Sequence, residues 1–417
     1  MPIQSSSNAS RIEQLEVHLT TNRYAAAIRR HYLWVAQQFV EFLESHSSAI
    51  EAVHVPDVDE FLRWELRQWH SRYQRAPRNL VEWRRRYKTA VNTFLRLVHG
   101  HWPVLPAPVT PLETFHRDMV EGYDTWMREL RGLASRTRSR RRTHALEFLK
   151  ALGSRGDQEN LAQLRVLDID AYVRQRCTGL RRRTIESCTV DLRSFLRYLH
   201  GSGRTALDLS NSVIGPRIYD HEHIPSALRP AEVQGILKVA RQDLSPIGRR
   251  DYALLMLLAT YGLRAGEVVA LRLDDIDWKR EILHVLHTKT GAKSELPLLR
   301  EAGEAVLSYL ENARPESTHR EVFLRMQAPY TPYREGSFLH CVIATRLKKS
   351  GITPIGRKGP HAFRHARAVS LLRAAVPLKI IGDVLGHRSA KATATYLKLA
   401  TEDLQSVGLD IPKETLL

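Results

Sequence analysis

A long-range internal repeat in the amino-terminal half constrains the fold most. Gln38–Leu43 matches Glu147–Leu152, Asp57–Leu62 matches Asp168–Val173, and Thr93–Gly100 matches Ser194–Gly201. The matches fall in one order, at offsets of 109, 111 and 101 residues (148 − 39, 168 − 57, 194 − 93). Ordered matches of this kind predict a duplicated module of roughly a hundred residues. Apolar residues recur at helical spacing inside it, as with Trp34, Phe39, Phe42 and Leu43. Two copies are too few for a solenoid, so two tandem helical domains are expected, at 1–108 and 112–205. Pro103, Pro106, Pro108 and Pro111 punctuate the junction. A linker with Pro216 and Pro225 is expected at 206–225, a further domain at 226–400 and a tail at 401–417.

Charge narrows the partner. The 417 residues carry 63 Lys and Arg against 45 Asp and Glu, a net charge of +18, with a pI near 10.0. Such a surplus favours a polyanion, and nucleic acid is the commonest. Both copies carry basic clusters: Arg84, Arg85 and Arg86 in the first; Arg138, Arg140, Arg141 and Arg142, then Arg181, Arg182 and Arg183, in the second. Arginines repeated on helices suit phosphate contacts, although any one cluster reads equally well as a solvated face. Cys177, Cys188 and Cys341 are too few and too scattered for a disulfide framework or a zinc site. The sequence shows neither a secretory segment at its start nor an apolar run of membrane-spanning length, so a soluble cytoplasmic protein is expected.

Four pieces of the last region bear on chemistry. An apolar helix ends at Gly262, and Arg264 stands at the junction with the next helix, where its planar fork can face a phosphate. Glu267, three residues on, is placed to hold it. The β-prone runs Ile282–His287 and Leu296–Leu298 flank a Gly-containing turn, which predicts a hairpin with Lys289 by its tip and Lys293 as the other candidate. Pro360 opens a helix carrying His361 and Arg364 on one face. An imidazole beside a guanidinium suits a phosphoryl centre, where one passes a proton and the other neutralises oxygen charge. His361 and His365 have i, i+4 spacing, but without the glutamate of a zinc-protease helix no metal site is expected. Finally, Gly386 stops a helix just before His387, and Tyr396 follows nine positions later. A lone tyrosine is usually structural, and only this company promotes it.

In this order, Arg264, Lys289, His361-x-x-Arg364, Leu385-Gly386-His387 and Tyr396 resemble the catalytic domain of the tyrosine recombinase (phage integrase) family. The resemblance covers about 226–400, and the upstream modules resemble the family's core-binding domain, present twice. The fold expected is mainly α with a small antiparallel sheet: two helical modules followed by an α+β catalytic domain.

The resemblance implies an enzyme that cuts and rejoins double-stranded DNA through a 3′-phosphotyrosine on Tyr396. It implies Arg264 and Arg364 on the phosphate oxygens, Lys289 as acid for the leaving 5′-oxygen, His361 as base or proton carrier, and His387 on the phosphate. Glu267 supports Arg264. No cofactor, ATP or metal is implied. A homotetrameric synapse is expected, with partner recombinases as another arrangement and the tail docking in trans. The doubled module points toward a mobile-element integrase or transposase. Two other readings stay open from the residues: DNA relaxation of the type IB topoisomerase kind, and a non-catalytic DNA-binding protein on the same scaffold.

Overall fold

A computed structural model describes residues 2–104, 108–219, 227–289, 291–387 and 389–398, with backbone alone for 2–7, 390, 391, 395 and 398. The tail at 401–417, with its expected docking in trans, lies outside the described residues, as does the whole of 220–226. The architecture is mostly helical with one three-stranded antiparallel sheet, as the sequence leads one to expect. Among the described residues no helix is long and apolar enough to cross a membrane.

The segment that the sequence reads as the first copy contains α1 (Pro2–Thr21), α2 (Ala26–Ser45), α3 (Val55–Tyr73) and α4 (Leu80–His99). Their apolar stripes converge on Leu15, Leu19, Phe39, Phe61 and Phe94, all closed to solvent. The second contains α5 (Pro111–Glu129), α6 (Ser135–Leu152), α7 (Gln158–Leu161), α8 (Val166–Cys177) and α9 (Arg182–Gly201) around Tyr123, Phe148, Ile169 and Phe195.

Matched residues do matched work. Asp57 caps α3 by accepting from the His54 backbone N–H at 2.7 Å, and Asp168 caps α8 by accepting from that of Arg165 at 3.0 Å. Phe39 meets Phe61 edge-on with ring centroids 5.0 Å apart, and Phe148 meets Tyr172 the same way at 5.0 Å.

The copies diverge at one seam. At the same offsets, Asp191 stands opposite Ala90, and Arg140, Arg141 and His144 stand opposite His31, Tyr32 and Val35. In the second copy the buried Asp191 carboxylate accepts from Arg140, Arg141 and His144 at 2.8, 3.1 and 3.0 Å. In the first copy Ala90 is buried, and His31 packs edge-on against Tyr87 at 5.4 Å. Charge closes the seam in one copy and rings close it in the other.

The remaining region begins with α10 (Pro230–Gln242) and α11 (Pro246–Tyr261). α11 is apolar on nearly every side: Ala253 through Leu258 are all buried, which makes it the central helix. After α12 (Ala265–Ala270) come β1 (Ile276–Asp277), β2 (Ile282–His287) and β3 (Ala292–Pro297), paired in the order β1-β2-β3 with His287 opposite Ala292. In β2, Leu283, Val285 and His287 face inward, the period-2 alternation of a half-buried strand. The helices α13 (Arg300–Asn312), α14 (Phe338–Ser350), α15 (Pro360–Arg373), α16 (Leu378–Leu385) and α17 (Ala390–Ala394) follow, with a 3₁₀ turn at Thr395–Lys398.

The chain separates into two compact units: Met1–Pro103 with His223–Leu417, and Val104–Glu222. Within the first unit an exposed pair, Arg23 and Glu316 at 2.9 Å, joins the first copy to the carboxy-terminal region.

One buried ion network braces that region. Arg346, 1 % exposed, donates to Asp243 at 2.6 Å and to Asp251 at 2.7 Å, and Arg250 also donates to Asp251. Ser245 and Arg346 hold the Asp243 carboxyl far below the usual carboxylate range. Removing one partner of such a network leaves an uncompensated buried charge. Arg346→Met is therefore expected to lose about 3–5 kcal/mol of unfolding free energy in urea denaturation. A loss below about 1 kcal/mol, the scale of a surface pair, would contradict this role.

Candidate active site

Two helix ends build the site. α11 ends at Gly262 (φ +65°) and α16 ends at Gly386 (φ +60°), both in the left-handed region that spares glycine alone a steric penalty. A Cβ on Gly262 would lie 2.8 Å from Leu385, and one on Gly386 would lie 2.4 Å from the His287 ring. The last carbonyls of a helix lack partners within it and carry its negative dipole. Here guanidiniums meet them. Arg364 donates to Gly262 O at 2.9 Å and to Leu385 O, and Arg264 donates to Gly386 O at 3.2 Å. The carbonyls fix where the two cations stand and leave further N–H groups for another acceptor.

Arg264 is fixed from its other side too. Glu267, 3 % exposed, accepts from the Arg264 backbone at 2.7 Å and from its Nη1 at 2.6 Å. The same carboxylate accepts from His287 Nδ1 at 2.9 Å. Burial opposes its ionisation, but the His287 and Arg264 hydrogen bonds hold its pKa below the ordinary glutamate value. Arg364, 3 % exposed, is pushed the other way: burial and then the charge of Arg264 lower its pKa. Two neighbouring cations, one almost fully buried, favour an anion between them.

Tyr396, 4 % exposed, lies in the 3₁₀ turn after α17. Its hydroxyl is 3.3 Å from His365 Nδ1, and its ring stacks on His387 with centroids 6.0 Å apart. Burial pushes the phenol pKa up, while the charge of Arg364, its hydrogen bond and then the charge of Arg264 pull against that. The Thr393 hydroxyl lies 2.8 Å from His387 Nδ1. His361 opens α15 and is exposed, and its ring stacks on His365 at 6.2 Å. Burial around the ring, then Arg364 and Arg264, hold its imidazole below the ordinary value. For a residue this open to solvent, the guanidiniums are the firmer cause.

The structure thus brings Arg264, Glu267, His361, Arg364, His387 and Tyr396 together. Lys289 is exposed just past the end of β2, and Lys293 is exposed on β3 opposite Leu286, on the outward face.

Two further residues join the site. His365, which the sequence offers only as half of a metal-ligand spacing, is the imidazole at the Tyr396 hydroxyl. The other is His287, on β2, at Glu267. Its inward position in β2's alternation, beside Leu283 and Val285, is the signal that marks it.

The basic clusters divide. Arg84, Arg86, Arg142 and Arg181 are exposed. Arg85 pairs with Glu82 at 2.7 Å, and Arg183 lies 3.7 Å from Glu186. Arg182 donates to the Arg217 carbonyl. Arg138 is held by Asp124 at 3.3 Å, and Arg140 and Arg141 by Asp191, so these three help to close their own module.

A family model described as the phage integrase family matches residues 226–403. A putative integrase/recombinase of Sinorhizobium fredii (strain NBRC 101917 / NGR234), y4rA, is 38 % identical over 295 residues, 71 % of this chain and 71 % of that protein. A second from the same organism, y4gC, is 51 % identical over 189 residues, 45 % of this chain and 97 % of its own length. Among solved structures, a lambda integrase tetramer bound to a Holliday junction has a similar fold, with a TM-score of 0.52 at 17 % identity over 77 % of this chain and 87 % of that one. The family match and these relatives define a site-specific DNA recombinase. The chain belongs to the phage integrase family of tyrosine recombinases.

The imidazoles make a pH prediction. Burial holds both His365 and His387 at about 4 when folded, with neighbouring positive charges adding to the shift. In an unfolded chain histidine titrates near 6.5. Above about 6.5 both states are neutral and stability is full. As pH falls from about 6.5 toward 4, the unfolded chain takes up protons that the folded one refuses, and stability is lost. The melting temperature should fall across that window, and less steeply in His365→Gln. An unchanged slope in that variant would contradict the shift at His365.

Proposed function

We propose that this recombinase cuts one strand of a DNA duplex at a time with Tyr396 as nucleophile. The carrying observation is the Tyr396 hydroxyl at His365, buried beside Arg364. In the step proposed, the tyrosine oxygen attacks the scissile phosphorus and gives up its proton to an imidazole. His361 holds that role in the family pattern, and His365 is the ring in contact. The bond from phosphorus to the 5′-oxygen breaks, and the Lys289 ammonium protonates the departing oxygen. A 3′-phosphotyrosyl bond remains, and the 5′-hydroxyl of a partner strand reverses the step.

Arg264 and Arg364 neutralise the phosphate oxygens. With Thr393 donating to Nδ1, His387 keeps its proton on Nε2 and donates to the phosphate. Lys289 is preferred over Lys293 because Lys293 pairs with Leu286 on the outward face of the hairpin. The relatives' names and the fold shared with a DNA-bound integrase tetramer support a homotetramer on DNA that moves a mobile element. The exposed arginines of the two copies, Arg84, Arg86, Arg142 and Arg181, are assigned to DNA phosphates.

A nicked duplex that traps the cleaved state tests this. Candidate sites come from DNA flanking the gene. Wild type is expected to form a covalent protein–DNA adduct and Tyr396→Phe none, with DNA binding retained. An adduct that persists in Tyr396→Phe would rule out this nucleophile. The arginine assignment has its own test. Arg84→Ala with Arg86→Ala should weaken binding across sequences and reduce the slope of log K against log salt by about 2, roughly 0.9 for each phosphate contact. An unchanged slope would free these residues from DNA.

A further inference from the structure

His287 ends β2, on its inward face, and is closed to solvent. A carboxylate only accepts, so the 2.9 Å contact has His287 Nδ1–H donating to Glu267 Oε1. In the neutral ring Nε2 then accepts from the Ser294 hydroxyl, 3.0 Å away on β3. Glu267 in turn holds Arg264, and Arg264 reaches Gly386 O. Gly386 lies so close over the imidazole that a Cβ there would stand 2.4 Å from its Cγ. One buried ring on β2 therefore touches three other elements: the helix start that carries Arg264, the strand β3, and the helix end that presents His387. Lys289 is two residues past it. Because His287 is paired with Ala292, the ring pins both feet of the turn bearing that lysine.

An apolar residue would fill this inward position, as Leu283 and Val285 fill the two before it. Val, Leu or Ile would keep the strand and its packing but would leave the Glu267 oxygen and the Ser294 hydroxyl without their bridge. Arg264 has an anchor of its own in Gly386 O, at the end of α16.

We propose that His287 is a positioning residue that holds the base of the hairpin turn against Glu267, and so places Lys289 at the departing 5′-oxygen. This rests on the reading of Lys289 as the acid. His287 touches neither DNA nor the reacting atoms; it acts through the turn.

The test separates acid delivery from general damage. Sulfur in place of the bridging 5′-oxygen leaves as a thiolate, which needs no proton at departure. A variant that has only misplaced its acid is therefore restored on the sulfur substrate. His287→Ala and Ser294→Ala would be compared with wild type and Lys289→Ala on oxygen and sulfur versions of one nicked duplex, using the full chain.

Cleavage of the oxygen substrate by His287→Ala is expected to fall about 10²-fold, the scale of a group displaced by about an ångström. On the sulfur substrate it should return to within about threefold of wild type, as should Lys289→Ala, with duplex binding unchanged. Ser294→Ala should show the same pattern more mildly, and it keeps the test decisive if His287→Ala does not fold. A restored Lys289→Ala beside unrestored His287→Ala and Ser294→Ala would overturn the proposal alone. Lys289→Ala that stays slow on sulfur would overturn the acid assignment and the proposal with it.

Discussion

The site depends on two guanidiniums meeting the carbonyl ends of two helices. A buried arginine is costly unless its N–H groups find acceptors, and a buried helix end is costly unless its carbonyls find donors. α11 and α16 solve both problems together. The carbonyls of Gly262 and Leu385 receive Arg364, and that of Gly386 receives Arg264. Each helix must stop at a glycine for this geometry, and each glycine is closely covered, by Leu385 and by His287. The positions of both cations are thus set by the fold itself. Tyr396 and the three imidazoles then pack around that fixed pair.

The two amino-terminal helical segments share features of their cores and differ in the chemistry of one buried seam. The aspartate caps and the edge-on aromatic pairs are retained, because they set helix start and helix packing. Across the α2/α4 seam and its α6/α9 counterpart the chemistry is exchanged, from His31, Tyr32 and Ala90 to Arg140, Arg141 and Asp191. The arginines that look most like DNA contacts in the second copy are therefore partly engaged in closing its own fold.

Much of this was legible in the sequence wherever the signal was local. Gly262 before Arg264, the turn around Gly291, Pro360 ahead of His361 and Gly386 before His387 each announce an element boundary, and the boundaries place the chemistry. The repeat was legible because aromatic and capping residues keep their spacing. Other features arise from contacts distant in sequence. Arg264 meets Gly386 across 122 residues, and Arg364 meets Gly262 across 102. Arg140 reads as a free cation until Asp191, 51 positions away, is folded against it. His287 was hidden for a different reason: one histidine in a strand carries no local mark until its inward phase is read together with Glu267.

We propose that the paired arginines and Tyr396 surround one phosphate. The most direct measurement is a crystal structure of the enzyme on cleaved duplex with vanadate, which adopts the five-coordinate geometry of phosphoryl transfer, bridging the break. Vanadium is expected to be bonded to the Tyr396 oxygen, with Arg264 and Arg364 both donating to its equatorial oxygens while still anchored on the helix-end carbonyls. Vanadium bonded to another side chain, or held without either arginine, would contradict it.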